Sequence, residues 1–136
     1  MPEPMQILLA EDNPDDASLL SEVLRDTKIA HVLNVVDDGM EAIRYLRQQG
    51  RFASAVRPDL LLLDLNMPRM NGFEVLEGIR AAGPRGLAIV VLTVSEDQEE
   101  IVKAMQLSMN YYIRKPVDLE QLRELLVLVD EMWRVR

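Results

Sequence analysis

The chain has 136 residues, 49 % of them apolar, which is the size and composition of one domain with one substantial core. Its formal charge is −8 and its only lysines are Lys28, Lys103 and Lys115, so the clustered cations that neutralise nucleic-acid phosphates are missing. There is no long apolar run, no basic and apolar leader in Met1-Pro2-Glu3-Pro4, and no cysteine; these features argue against a membrane span, a signal peptide, disulfides and thiolate metal sites, and lead us to expect a cytoplasmic protein.

Apolar runs alternate with amphipathic segments. Residues 5–10 (MQILLA) form the first expected strand, β1, which ends at acids. Asn13-Pro14-Asp15-Asp16 has the makings of a helix start: a capping side chain, proline at the first helical position and acids in the first turn. Helix α1 follows from residue 14, with Ala17, Leu20 and Leu24 at helical spacing. Residues 32–36 make strand β2, and α2 opens at Gly39 with Met40, Ile43 and Leu46 on one face. A loop over 50–58 leads into β3 at 59–65 (DLLLLDL), apolar on both faces. Then come α3 at 73–82, closed by Gly83-Pro84, β4 at 87–93, α4 at 96–108, β5 at 111–113 and α5 at 119–133.

This pattern is α/β, a (βα)5 doubly wound, flavodoxin-like three-layer sandwich. Strands apolar on both faces need helices on both sides of a parallel sheet. Right-handed crossovers favour the order 2-1-3-4-5, and a ligand site belongs beyond the carboxyl ends of the strands, beside β1.

That edge collects the chemistry. Glu11 and Asp12 follow β1, Asp64 ends β3, Thr93 ends β4 and Lys115 follows β5. Converging carboxylates repel one another unless a cation joins them, and hard oxygen ligands suit Mg²⁺ rather than zinc. Asp64 is a carboxylate nucleophile of the kind that forms an aspartyl phosphate. Phosphoryl transfer needs mainly positioning and neutralised oxygen charge, which Mg²⁺, Lys115 and the Thr93 hydroxyl can supply.

Glu11-Asp12, Asp64 within DLNMPRMNG, Thr93 in LTVS and Lys115-Pro116, in that order along residues 5–133, resemble the signature of two-component response-regulator receiver domains. The resemblance implies that Asp64 is the phosphoacceptor, and that Asp12, Asp64 and the Asn66 backbone carbonyl bind Mg²⁺, with Glu11 acting through water. It further implies that Thr93 and Lys115 hold phosphoryl oxygens, that Thr93 and Tyr112 form a switch, and that Pro116 follows a cis bond. The stretches from Arg57 to Pro68 and from Tyr111 to Leu119 are similar to a branch of small single-domain regulators encoded with phytochrome-type histidine kinases. The implied partner is such a kinase, with residues 1–136 a single receiver domain and no output domain.

Each feature also has a plainer reading. Acids after a strand can be a solvated edge, Thr93 suits any strand, Lys115 can be a surface lysine, and His31 has no expected chemical role. Asp64 closing an apolar strand is harder to explain that way, because burying a lone carboxylate is costly. On α5, Leu119, Leu122, Leu125, Leu126 and Val129 make a core stripe, while Val127 and Leu128 widen it beyond what one core needs. The expectation is a homodimer through the α4-β5-α5 face. Rival functions are a phosphatase of the haloacid dehalogenase type, a flavin-binding carrier and a degenerate receiver serving as a docking scaffold. The first would need an acid two residues after the nucleophile, where Asn66 stands. The second would need an anion-friendly first loop, where Glu11, Asp12, Asp15 and Asp16 stand. The third would have lost one of the acids, Thr93 or Lys115.

Overall fold

The computed structural model describes residues 3–65, 74–78, 86–93, 99, 106, 111–115 and 117–134. Five strands, β1 (Met5–Ala10), β2 (His31–Val36), β3 (Leu60–Asp64), β4 (Ala88–Thr93) and β5 (Tyr111–Arg114), form one parallel sheet in the order β2-β1-β3-β4-β5. Every strand end falls within one residue of its expected position. The expected doubly wound, flavodoxin-like order is therefore the observed one.

The sheet is central because β3 has nothing polar before its last residue. Leu60, Leu61, Leu62 and Leu63 are all fully buried. Their side chains alternate between faces. Leu61 and Leu63 join Ala42, Tyr45 and Leu46 of α2 (Gly39–Leu46) together with Val75 and Leu76 of the helical stretch 74–78. Leu60 and Leu62 join Leu20, Val23 and Leu24 of α1 (Pro14–Asp26) and Leu122, Leu126 and Val129 of α5 (Leu119–Arg134). Two separate apolar clusters, one on each face, make the three layers. The rest of α3 lies outside the described residues, as does α4 except for the helical Glu99 and Gln106.

Caps set the helix starts. Asn13 Oδ1 accepts the Asp15 and Asp16 amides at 2.9 and 3.3 Å, and Pro14 occupies the first turn, where no amide is needed. Asp38 caps α2 through the Glu41 amide at 2.8 Å, and Asp118 Oδ1 takes the Glu120 and Gln121 amides at 3.0 and 3.1 Å. At the amino edge, Asp59 continues the β3 ladder by one residue, with its amide on the Gln6 carbonyl at 2.7 Å and its carboxylate on the Gln6 amide at 2.9 Å.

Three details differ from expectation. Met40 sits at the rim of α2 and is partly exposed, and the buried face is made by Ala42, Tyr45 and Leu46. The loop over 50–58 contains a 3₁₀ turn at Gly50–Phe52, held by the Gln48 side chain on the Ala55 carbonyl at 2.7 Å and by Phe52 against Tyr45. Leu119 is 42 % exposed, so the α5 core stripe starts one turn later, at Leu122.

Leu62→Ala is expected to cost about 2–5 kcal/mol of unfolding free energy, because it opens a cavity in the middle layer. Leu119→Ala is expected to stay within about 0.5 kcal/mol. Urea titration of both variants checks the assignment of inner and rim positions.

Candidate functional site

Parallel register aligns the strand ends. Ala10 pairs with Leu63, Asp64 with Leu92, and Thr93 with Arg114. Three further backbone bonds carry the ladder one residue past the strands: Glu11 N–H to the Val36 carbonyl at 3.0 Å, Leu65 N–H to the Leu92 carbonyl at 3.0 Å, and Lys115 N–H to the Thr93 carbonyl at 2.7 Å. Glu11, Asp64, Thr93 and Lys115 are thus fixed by sheet geometry rather than by loop conformation.

The result is a small charged centre in an apolar sheet. Glu11, Asp64 and Thr93 are buried. Glu11, Asp12 and Asp64 each direct a carboxylate oxygen to within 4.8 Å of the others. Two unit charges at that range repel by roughly 3 kcal/mol at an effective dielectric of about 20. Lys115 offsets part of this repulsion. Its Nζ lies 2.6 Å from Glu11 Oε1, 3.3 Å from Asp64 Oδ2 and 3.3 Å from Asp16 Oδ2. Among the described residues, no buried side-chain nitrogen or oxygen lacks a hydrogen-bond partner.

The cation and the acid respond to burial in different ways. Burial alone would push the Lys115 ammonium down, but the Glu11 hydrogen bond and the charges of Asp64 and Glu11 outweigh it and hold the ammonium above its ordinary value. Burial raises Glu11 from 4.5 to about 7; the Lys115 hydrogen bond pulls the other way and is outweighed, and Asp64 adds to the rise. One lysine therefore leaves this edge short of positive charge. The donor set is three hard carboxylate oxygens, which can hold a divalent cation together with waters. A cation there would also relieve the repulsion.

Sequence reasoning and structure meet at Glu11, Asp12, Asp64, Thr93 and Lys115, which share this edge. Asn66 and Pro116 lie outside the described residues. Tyr112 is 41 % exposed, while Tyr111 packs against the α1/α5 cluster and donates its hydroxyl to Met132 Sδ at 3.6 Å. The two tyrosines take opposite faces, as strand geometry requires. His31 Nδ1 lies 2.7 Å from the Ile29 carbonyl. Asp16 is the member that sequence reasoning missed. It read as a first-turn acid of α1, and the one available signal was that a helix starting directly after β1 lays its first turn over the carboxyl edge.

A pH dependence follows for the metal-free protein. Glu11 has a folded-state value near 7 against an ordinary 4.5, so the folded state holds the extra proton between those limits. Stability is then expected to fall as pH rises through that window, with a ceiling of about 1.4 kcal/mol per pH unit for one group. Glu11→Gln should flatten this slope. Urea midpoints at pH 5, 6 and 8 with chelator present check it.

Comparison with known proteins agrees with this geometry. Residues 7–127 match the family described as the response regulator receiver domain. Response regulator Rcp1 of Synechocystis sp. (strain ATCC 27184 / PCC 6803 / Kazusa) is 36 % identical over 131 residues, covering 96 % of this chain and 89 % of Rcp1. The structure of the phosphorylated cyanobacterial phytochrome response regulator RcpA is similar with a TM-score of 0.82 at 41 % identity, covering 96 % of this chain and 94 % of that one. The Mn²⁺-bound form of Rcp1 is similar with a TM-score of 0.82 at 36 % identity, covering 96 % of this chain and 94 % of that one. With a match of this breadth, and relatives aligned over nearly their full length, the chain belongs to the response regulator receiver domain family.

Proposed function

We propose that this chain is a signalling protein that accepts a phosphoryl group on Asp64 from the phosphohistidine of a sensor histidine kinase, with Mg²⁺ as cofactor. The observation that carries the reading is the meeting of Glu11, Asp12 and Asp64 oxygens within 4.8 Å beside the Lys115 ammonium, at the carboxyl edge of the sheet. Asp12, Asp64 and the Asn66 carbonyl would hold Mg²⁺ directly, with Glu11 acting through water. When bound, the ion supplies charge neutralisation for the phosphoryl oxygens.

The chain's own groups do the rest. The Asp64 carboxylate attacks phosphorus, the phosphorus–nitrogen bond to the kinase histidine breaks, and an oxygen–phosphorus bond forms on Asp64. No base is needed, because an ionised carboxylate has no proton to give up. Lys115 and the Thr93 hydroxyl hold phosphoryl oxygens, and water later hydrolyses the acyl phosphate. Thr93 moving toward the phosphoryl group makes room for Tyr112 to turn inward from its exposed position, a population shift that needs different contacts in the two states. The protein turns over only its own phosphate and acts on no other substrate.

The identity to Rcp1 and RcpA supports a kinase of the phytochrome type, which would place the protein in the cytoplasm with the kinase's phosphohistidine. Homodimerisation through the α4-β5-α5 face belongs to the same reading. Leu128 and Met132 are exposed on the α5 flank that meets Tyr111 of β5. Val127, although exposed, follows Arg123 by one turn, on the flank where Arg123 faces Asp26 of α1 at 3.9 Å. Leu128 rather than Val127 is the better dimer contact.

Incubation with acetyl phosphate is expected to label the wild type in the presence of Mg²⁺ and to leave it unlabelled in chelator. Asp64→Asn should abolish labelling, and a label that persists there overturns the site assignment. Lys115→Ala should keep some labelling and lose the conformational response, read by Tyr112 accessibility. In sedimentation with beryllofluoride and Mg²⁺, Leu128→Glu should give monomer while Val127→Glu stays dimeric. A wild type that remains monomeric under all conditions rejects the dimer.

A further inference from the structure

We propose that Asp16 is a positioning residue that competes with the incoming phosphoryl group for the Lys115 ammonium, and so sets the affinity of the site for anionic donors. The inference rests on the reading of Asp64 as phosphoacceptor and extends it to a residue outside the recognised motif.

A lysine ammonium has three hydrogens and no acceptor. Here three carboxylates stand within reach of it: Glu11 at 2.6 Å, Asp64 at 3.3 Å and Asp16 at 3.3 Å. Lys115 therefore has no spare hydrogen for a phosphoryl oxygen, and one of these bonds must open before it can hold one. The three partners are unequal. The Glu11 side chain is fully buried and that of Asp64 is 7 % exposed, whereas Asp16 is 44 % exposed. Opening the bond to Glu11 or Asp64 would leave a buried carboxyl group without its partner, which is costly. Asp16 can hand its charge to water, so its bond is the one that opens.

Asp16 is also well held for this role. It lies in the first turn of α1, and its amide donates to Asn13 Oδ1 at 3.3 Å. In the unphosphorylated state it draws Nζ toward α1 and keeps a negative charge beside the path an anion must take. Phosphorylation would release α1 from this tie, so the first turn of α1 senses the occupancy of Asp64 through Lys115.

The test compares Asp16→Asn and Asp16→Glu with the wild type. With Mg²⁺ saturating, Asp16→Asn is expected to bind beryllofluoride roughly two- to fivefold more tightly, the range a half-exposed ion pair is worth. The KM for acetyl phosphate should fall by the same factor, with the maximal rate changing less. Affinity for Mg²⁺ alone should stay the same or weaken, because a carboxylate near the cation has been removed. A merely structural role would weaken both ligands together. Asp16→Glu should restore the wild-type values, and the difference should shrink at molar salt, where screening is short-ranged. Unchanged or weaker beryllofluoride binding in Asp16→Asn overturns the proposal. If wild-type labelling at Asp64 is intact in that case, the Asp16 assignment alone has failed. If the wild type takes no label, the phosphoacceptor reading itself has failed.

Discussion

A half-buried ammonium among carboxylates governs how this molecule is built. Lys115 reaches from the end of β5 across the β4 and β3 ends to Glu11 at the end of β1, and ties together β1, β3 and β5, three strands that are not consecutive in sequence. Without it, Glu11 and Asp64 would be two carboxyl groups crowded in the least hydrated part of the edge with no cation between them. With it, the edge is held but still net negative, because one ammonium faces more than one carboxylate. That remaining imbalance leaves three carboxylate oxygens that could hold a divalent cation, which would relieve the repulsion among them.

The apolar sheet makes this electrostatics possible. A site of this kind needs rigid donors, and side chains at strand ends inherit the rigidity of the ladder beneath them. The fully buried leucines of β3 lock the strand that carries Asp64, and the two clusters on either face prevent it from shifting register. A one-residue slip would turn Asp64 to the opposite face and separate it from Glu11. Core packing and site chemistry are therefore one constraint read at two ends of the same strands.

The outward side of the molecule follows different rules. Tyr112, Leu128 and Met132 are exposed apolar or aromatic groups on the β5/α5 side, where the sheet has run out of strands. Their exposure costs little in one chain. Sequence periodicity alone grouped Val127 with Leu128, but adjacent residues on a helix are about 100° apart, and only the contacts of Arg123 with Asp26 and of Tyr111 with Met132 assign them to different flanks.

Much of this was legible before any coordinates. Hydrophobic runs such as LLLLD and AIVVLT declare buried parallel strands, capping residues such as Asn13 with Pro14 declare helix starts, and these are local properties of a few neighbouring residues. The positions of Glu11, Asp12, Asp64, Thr93 and Lys115 at strand ends followed from the same local signals plus the handedness of crossovers. The rim positions of Met40 and Leu119 did not, because burial at the end of a helix depends on where the neighbouring elements stop. Nor did the place of Asp16: a first-turn acid looks the same whether it faces water or a lysine about a hundred residues away. The elements, their order and the cast of charged groups can be read from the amino-acid order, since those depend on nearest-neighbour patterns. Which charges share an ammonium, and at what exposure, is settled in the folded molecule, since distance and dielectric are properties of the assembled sheet.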